Sequence, residues 1–420
     1  MNTFSLYIHI PFCRFRCDYC DFFTRTRVAP VRQREIIAST VRQALDAHTT
    51  WHAPAPHPGT IYVGGGTPSA LDPAAAELLL EGISALRTRL AVHGVSTEAS
   101  STAEEIEEIT VEVNPEDVNP ALLARYADAG VTRLSVGIQS LREQVLRRIG
   151  RHTTLDATRR GLETVATHWP GRWSADLITA IPGDDPDGAA ADATELLRFG
   201  PRHLSVYELG IEPATLLGMR HRRNAIPPIS ETGQIAQSQA VSDVLGAAGL
   251  RRYEVSSWSL PGEESRHNLR YWRLAPWAAA GPGAVGLVPR GGGPEHVTVP
   301  RSFPRFLSRE DFGVHREPLT ARDLFEETLM GGMRTTVGVN RTRIEAVFGR
   351  RMETIIPDTL DRWSALTHAP RAEHLALTAD GLLLLNRFLV DAFAELDTTA
   401  SLLRSPPAWP DSASPDATAT

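Results

Sequence analysis

The sequence predicts an α/β protein built as an incomplete β/α barrel of six strand–helix units, with a small, mainly helical C-terminal domain after it. Three observations lead there. Over the first 250 residues, short apolar or alternating runs exchange with amphipathic stretches of helical period. Single helices between successive strands imply right-handed βαβ crossovers and hence a parallel sheet. After Leu250 the alternation stops, and a Gly-, Pro- and Trp-rich stretch precedes a helical one. An open doubly wound sheet shares this pattern and stays open as the alternative.

In chain order the strand-like runs are FSLYIHI (4–10), TIYVGG (60–65), EITVEVN (108–114), RLSVGIQ (133–139), WSADLITAI (173–181) and HLSVYELGI (203–211). The helical stretches between and after them cover roughly 31–48, 73–92, 120–129, 154–168, 187–198 and 231–248. Residues 93–108 are polar and acidic and read as an extended loop. These signals divide the chain into a barrel (1–253), a connecting region (254–318), a C-terminal domain (319–397) and a disordered tail (398–420) dominated by SPPAWPDSASPDATAT.

Composition removes several functions. The chain has 420 residues, and all 43 of its basic residues are arginine. Without lysine there is no Walker-A loop, pyridoxal-phosphate site or Schiff-base aldolase. A net charge of −7 gives no general attraction to nucleic acid. No apolar run reaches the roughly 20 residues needed to cross a bilayer, and the N-terminal stretch alternates like a strand rather than a signal peptide. The expectation is a cytoplasmic protein, compatible with peripheral membrane contact.

The three cysteines, Cys13, Cys17 and Cys20, fall within CRFRCDYC, just after the first strand. Disulfide frameworks spread an even number of cysteines along a chain, so this clustering points to a metal site in a reducing compartment. Three thiolates at CxxxCxxC spacing can hold three corners of an iron–sulfur cube and leave the fourth iron for a small molecule. A Cys₃His zinc site using His9 or a later histidine is the competing reading. The second strand ends in GGGTPS (64–69), where glycines let backbone approach a ligand closely. Polar residues close the other strands: Glu112 and Asn114, Gln139, and Asp176. Ligands of α/β proteins gather at such carboxyl ends.

YIHIPFCRFRCDYC, GGGTPS, VEVNPE, RLSVGIQS, LRRIGRHTT, DLITAIPG and YELGIEP occur in one order. In this the chain resembles radical SAM proteins of the HemN/HemW group. The likeness runs from about Tyr7 to Trp272 and returns in ETLMGGMRTTVGVN and LTADGLLLLN. It implies a partial β/α barrel of radical SAM type, with a 4Fe–4S cluster on Cys13, Cys17 and Cys20. S-adenosylmethionine (SAM) would chelate the open iron and be cleaved by one electron to a 5′-deoxyadenosyl radical. Carried over, a first SAM site would use Tyr7, Gly65 and Glu112, and the second-SAM positions would be Tyr19, Gly66, Thr67, Gln139, Arg151 and Asp176.

Within the group, oxygen-independent coproporphyrinogen III oxidases carry a fourth cysteine where this chain has Phe22. HNLRYW (267–272) matches the HNxxYW signature of heme chaperones of the HemW type. The resemblance therefore implies a protein that binds heme and passes it to client proteins, with His267, Asn268, Tyr271 and Trp272 as heme-binding candidates. His267 could equally be a core histidine, and the basic run RHRR (220–223) a solvated loop. The alternative is the oxidase itself, decarboxylating porphyrinogen propionates.

Overall fold

The computed structural model describes residues 3–47, 57–93, 106–226, 229–290, 293–308 and 310–404. Most of the acidic loop and all of SPPAWPDSASPDATAT lie outside them. Six strands, β1 (Thr3–Ile10), β2 (His57–Gly65), β3 (Glu108–Val113), β4 (Arg133–Gln139), β5 (Arg172–Thr179) and β6 (His203–Glu208), lie side by side in chain order. Every neighbouring pair is parallel.

The helices that return the chain span Pro30–Asp46, Pro73–His93, Pro120–Asp128, Leu155–His168, Pro186–Leu197 and Glu231–Ala247. Their starts follow from local chemistry. Asn119, Thr154, Asp185 and Ser230 each accept a backbone N–H three residues on, and proline opens the helices after Asn119 and Asp185.

Each strand has two unlike faces. Leu6, Ile8 and Ile10, Ile61 and Val63, Ile109 and Val111, and Leu134 and Val136 are all buried in one continuous core. Each such side chain contributes roughly 1.5–3 kcal/mol. The intervening positions carry Ser5, Tyr7 and His9, Thr60 and Tyr62, Glu108, Thr110 and Glu112, Arg133 and Ser135, and Asp176. Period-2 geometry turns these to the opposite face, so the sheet presents a polar surface along its whole width.

The sheet extends beyond the six expected strands. On one side β8 (Ser257–Ser259) pairs antiparallel with β6 and then with β7 (Arg251–Arg252). On the other, β9 (Trp277–Ala280) lies parallel to β1 and is followed by β10 (Val285–Arg290), β11 (Gly293–Thr298) and β12 (His315–Pro318), all antiparallel. β12 and β7 are the edges of this 12-stranded sheet, so the barrel does not close. The Gly- and Pro-rich stretch therefore builds sheet. Its strands read poorly because β9 is WAAA and β10 and β11 meet in a tight Pro- and Gly-containing hairpin.

The C-terminal helices begin at Ala321–Gly332, where Thr320 and Asp323 form a capping box. With Arg341–Phe348, Leu385–Thr399 and shorter segments they enclose a second core around Phe325, Phe348, Trp363 and Phe388. Leu274 and Leu287 from the sheet side join that core and fasten the two parts together. The last long helix runs to Thr399 and Leu403 is buried, so ordered chain passes the expected boundary at 398.

Candidate cluster and cofactor site

The cysteine loop leaves the carboxyl end of β1 and folds back over the sheet. The Cys13 N–H donates to the Arg25 carbonyl (3.1 Å), Asp18 N–H to Ile149 (3.1 Å) and Cys20 N–H to Cys17 (3.2 Å). Arg220, from the RHRR run, reaches Asp18 Oδ2 at 2.9 Å, and Leu217 N–H donates to the Asp18 carbonyl at 2.8 Å. The helix Leu216–Arg222 thus pins the loop between its second and third thiols.

All three thiols line a cavity of about 360 Å³. Tyr19, Gly65, Gly66, Thr67, Glu112, Gln139, Arg151 and Asp176 share its wall. Tyr7 lines a neighbouring, larger cavity instead. Among the described residues no group of three His, Cys, Asp or Glu is arranged to hold a single bare ion.

Close backbone approach explains two of the glycines. Gly65 has φ +101°, and a Cβ there would sit 2.3 Å from the His9 ring. A Cβ on Gly66 would meet the Phe12 carbonyl at 2.5 Å. Gly66 N–H donates to Ile10 (2.8 Å) and Thr67 N–H to Phe12 (2.7 Å), locking the glycine turn against the start of the cysteine loop. Thr67 Oγ1 then stands 3.6 Å from Cys13 Sγ.

Glu112 accepts from Gly65 N–H (3.0 Å) and Tyr62 OH (2.8 Å). Burial pushes its carboxyl up to about 7 against those bonds. Asp176, taken up to about 6 by burial against the pull of the Ser205 and Ser135 hydroxyls, accepts from Ser135 Oγ at 3.0 Å, while its buried Oδ1 has no partner within hydrogen-bond distance among the described residues. Arg151 donates to Asn114 Oδ1 (2.8 Å) and the Gly137 carbonyl (2.9 Å) and lies 3.9 Å from Cys17 Sγ. Gln139 follows a bulge in β4 and takes φ +70°, a strained conformation for a residue with a Cβ. Burial holds the Cys13 thiol up at about 11, so an adjacent cationic centre is needed to make it a thiolate.

Sequence reasoning missed Tyr62, Ser135 and Asp18. The first two could have been found by counting every second residue of each strand. Nothing local marks Asp18, whose partner is 202 residues away.

The HNLRYW segment forms a helix, Arg266–Trp272, at the amino-terminal end of the strands. Glu108, the first residue of β3, accepts the N–H groups of Arg266 and His267 (3.0 Å each). His267 is fully buried, with Nδ1 2.9 Å from Thr60 Oγ1 and its ring packed edge-on to Tyr271 at 4.6 Å. Burial lowers its pKa to about 3. His267 and Asn268 line neither of these two cavities, whereas Tyr271 and Trp272 line the larger one, of about 900 Å³. Heme contact through His267 would require the helix to leave Glu108 and Thr60.

The described residues thus fit a cubic cluster and a cofactor of mixed polarity. Three thiols face one cavity beside an arginine, an unpaired carboxylate oxygen and a glycine turn. Fold and site define a radical SAM protein, and a model of the Radical SAM superfamily matches residues 7–194. The heme chaperone HemW of Escherichia coli (strain K12) is 31% identical over 93% of this chain and 98% of its own length. HemW of Mycobacterium tuberculosis (strain CDC 1551 / Oshkosh) is 33% identical over 91% and 93%. The chain belongs to the HemW family of the radical SAM superfamily, and that membership carries a 4Fe–4S cluster and SAM with it. Among solved structures, the coproporphyrinogen III oxidase HemN of Escherichia coli superposes with a TM-score of 0.74 at 18% identity, covering 93% of this chain and 90% of that one.

Proposed function

We propose that this chain is a heme chaperone. It holds its cluster on Cys13, Cys17 and Cys20, binds SAM in the cavity before them, and carries heme in the larger cavity for delivery to client proteins. The observation behind this is the pairing of the two cavities, about 360 Å³ and about 900 Å³, with Phe22 on the wall of both. The larger has aromatic walls, from Tyr7 and Phe23 on the barrel side and Tyr271, Trp272 and Trp277 on the other, which suits a flat apolar macrocycle.

When bound, the cluster supplies the electron for reductive cleavage of SAM. The chain's own residues bind and orient. Glu112 offers charge beside the Gly65 backbone, where a cationic amine would sit, and Asp176 Oδ1 offers an acceptor to a hydroxyl. Arg151 offsets the charge of the Cys17 thiolate. Phe22 stands between cofactor and cargo. Closely spaced free thiols require a reducing compartment, and we place the protein in the cytoplasm.

The oxidase reading has less support. Phe22 occupies the position of the oxidases' fourth cysteine, and a likeness at 18% identity speaks for the fold alone. Anaerobic titration of the reconstituted protein with hemin tests the proposal. A saturable Soret change is expected, and its absence refutes cargo binding. Conversion of coproporphyrinogen to protoporphyrinogen with SAM and a reductant would favour the oxidase.

A further inference from the structure

The larger cavity contains a histidine that lies outside HNLRYW. His296, on β11, lines it, as do Glu327 and Met330 from the helix Ala321–Gly332. His296 Nε2 is 2.8 Å from Glu327 Oε1. A carboxylate at that distance takes the Nε2 proton, fixes the ring orientation and leaves Nδ1 as the basic nitrogen; histidines that bind metals are commonly held this way. Nδ1 makes no hydrogen bond with any described residue. Met330 follows Glu327 by three residues, on the same helical face, and its side chain is 50% exposed although large and apolar. Arg301, on the same wall, is exposed and has no ion pair among the described residues.

We propose that His296 Nδ1 is the protein ligand to the iron of the bound heme, with Glu327 as its positioning residue and Arg301 at a propionate. The assignment rests on the heme-carrier reading above. It also removes a difficulty of that reading, because His267 is sealed beneath Thr60 while His296 is open to the cavity. Imidazole is an axial ligand that heme iron accepts.

The test is a hemin titration of the cluster-loaded, full-length protein, read by Soret-excited resonance Raman and by ferric EPR. Wild type, His296→Ala, Glu327→Gln and His267→Asn are compared. His296→Ala is expected to lose the histidine-ligated signature and bind at least about tenfold more weakly, with added imidazole restoring the spectrum. Glu327→Gln keeps the ligand but shifts its iron–histidine stretch and costs about tenfold in affinity. His267→Asn leaves the signature intact. If His296→Ala binds hemin with wild-type affinity and spectrum, the assignment is wrong while the carrier reading stands. If the wild type binds no hemin, both fall.

Discussion

His267 Nδ1 lies 2.9 Å from Thr60 Oγ1, and this bond ties the HNLRYW helix to the strand that ends in the glycine triplet. The Thr60 hydroxyl donates in turn to Ser5 Oγ at 3.0 Å, and Arg270 Nε donates to that same oxygen at 2.8 Å. The motif therefore fastens β1 and β2, the strands that deliver the cysteine loop and the glycine turn, at the end opposite the site.

This predicts a pH dependence of stability. His267 titrates near 3 when folded, well below an unfolded histidine, so the unfolded chain binds more protons between those values. The contribution of His267 is whole above the unfolded value and falls as pH drops toward 3. The loss is up to about 3 kcal/mol between pH 7 and pH 4. His267→Asn, which keeps a donor toward Thr60 but does not titrate, should flatten that slope in urea unfolding. An unchanged slope would mean that other groups set it.

Cys17→Ala should abolish the cluster, because two thiolates do not hold the cube. Iron and sulfide analysis after anaerobic reconstitution checks this, with near-zero sulfide expected. Wild-type absorbance in the variant would contradict the ligand set.

Gly66→Ala should disturb the cofactor site through backbone alone. Its Cβ would press on the carbonyls of Phe12 and Ile10, neither of which can swing away. Overpacking of this kind costs about 1–3 kcal/mol, and strain falls where the cysteine loop begins. A lower melting temperature together with reduced iron loading is expected. Full loading at an unaltered melting temperature would show that the turn can shift.

Glu112→Gln should weaken SAM binding and remove its pH dependence. The carboxyl titrates at about 7, so raising pH from 6 to 8 ionises it and strengthens binding of a cation about tenfold in the wild type. Isothermal titration with SAM at several pH values reads both effects. A glutamine variant with the same pH profile would move the dependence elsewhere.

Much of the site was legible because each signal is local. CxxxCxxC names a ligand set by spacing, and Gly65 and Gly66 mark backbone contact by lacking a side chain. Glu112 and Asp176 stand at matching places in successive strands. Tyr62 and Ser135 were equally available, since alternation places them on the polar face with Glu112. Strands β9 to β12 were hidden: alanines, glycines and prolines carry weak strand preference, and only a neighbour such as β1 makes WAAA a strand. The RHRR run looked like a solvated loop because its partner, Asp18, is distant in sequence.

The sequence by itself determined the six parallel units, the thiolate trio and the family, since period, spacing and motif order are properties of neighbours along the chain. Tertiary structure decided where HNLRYW went. Its histidine sits beneath Thr60, at the amino-terminal end of the strands, while only Tyr271 and Trp272 reach the large cavity. It also paired His296 with Glu327, 31 residues apart, on the wall of that cavity. Burial and hydrogen-bond partnership arise from contacts between distant segments, and those contacts set whether an imidazole is a core anchor or an available ligand.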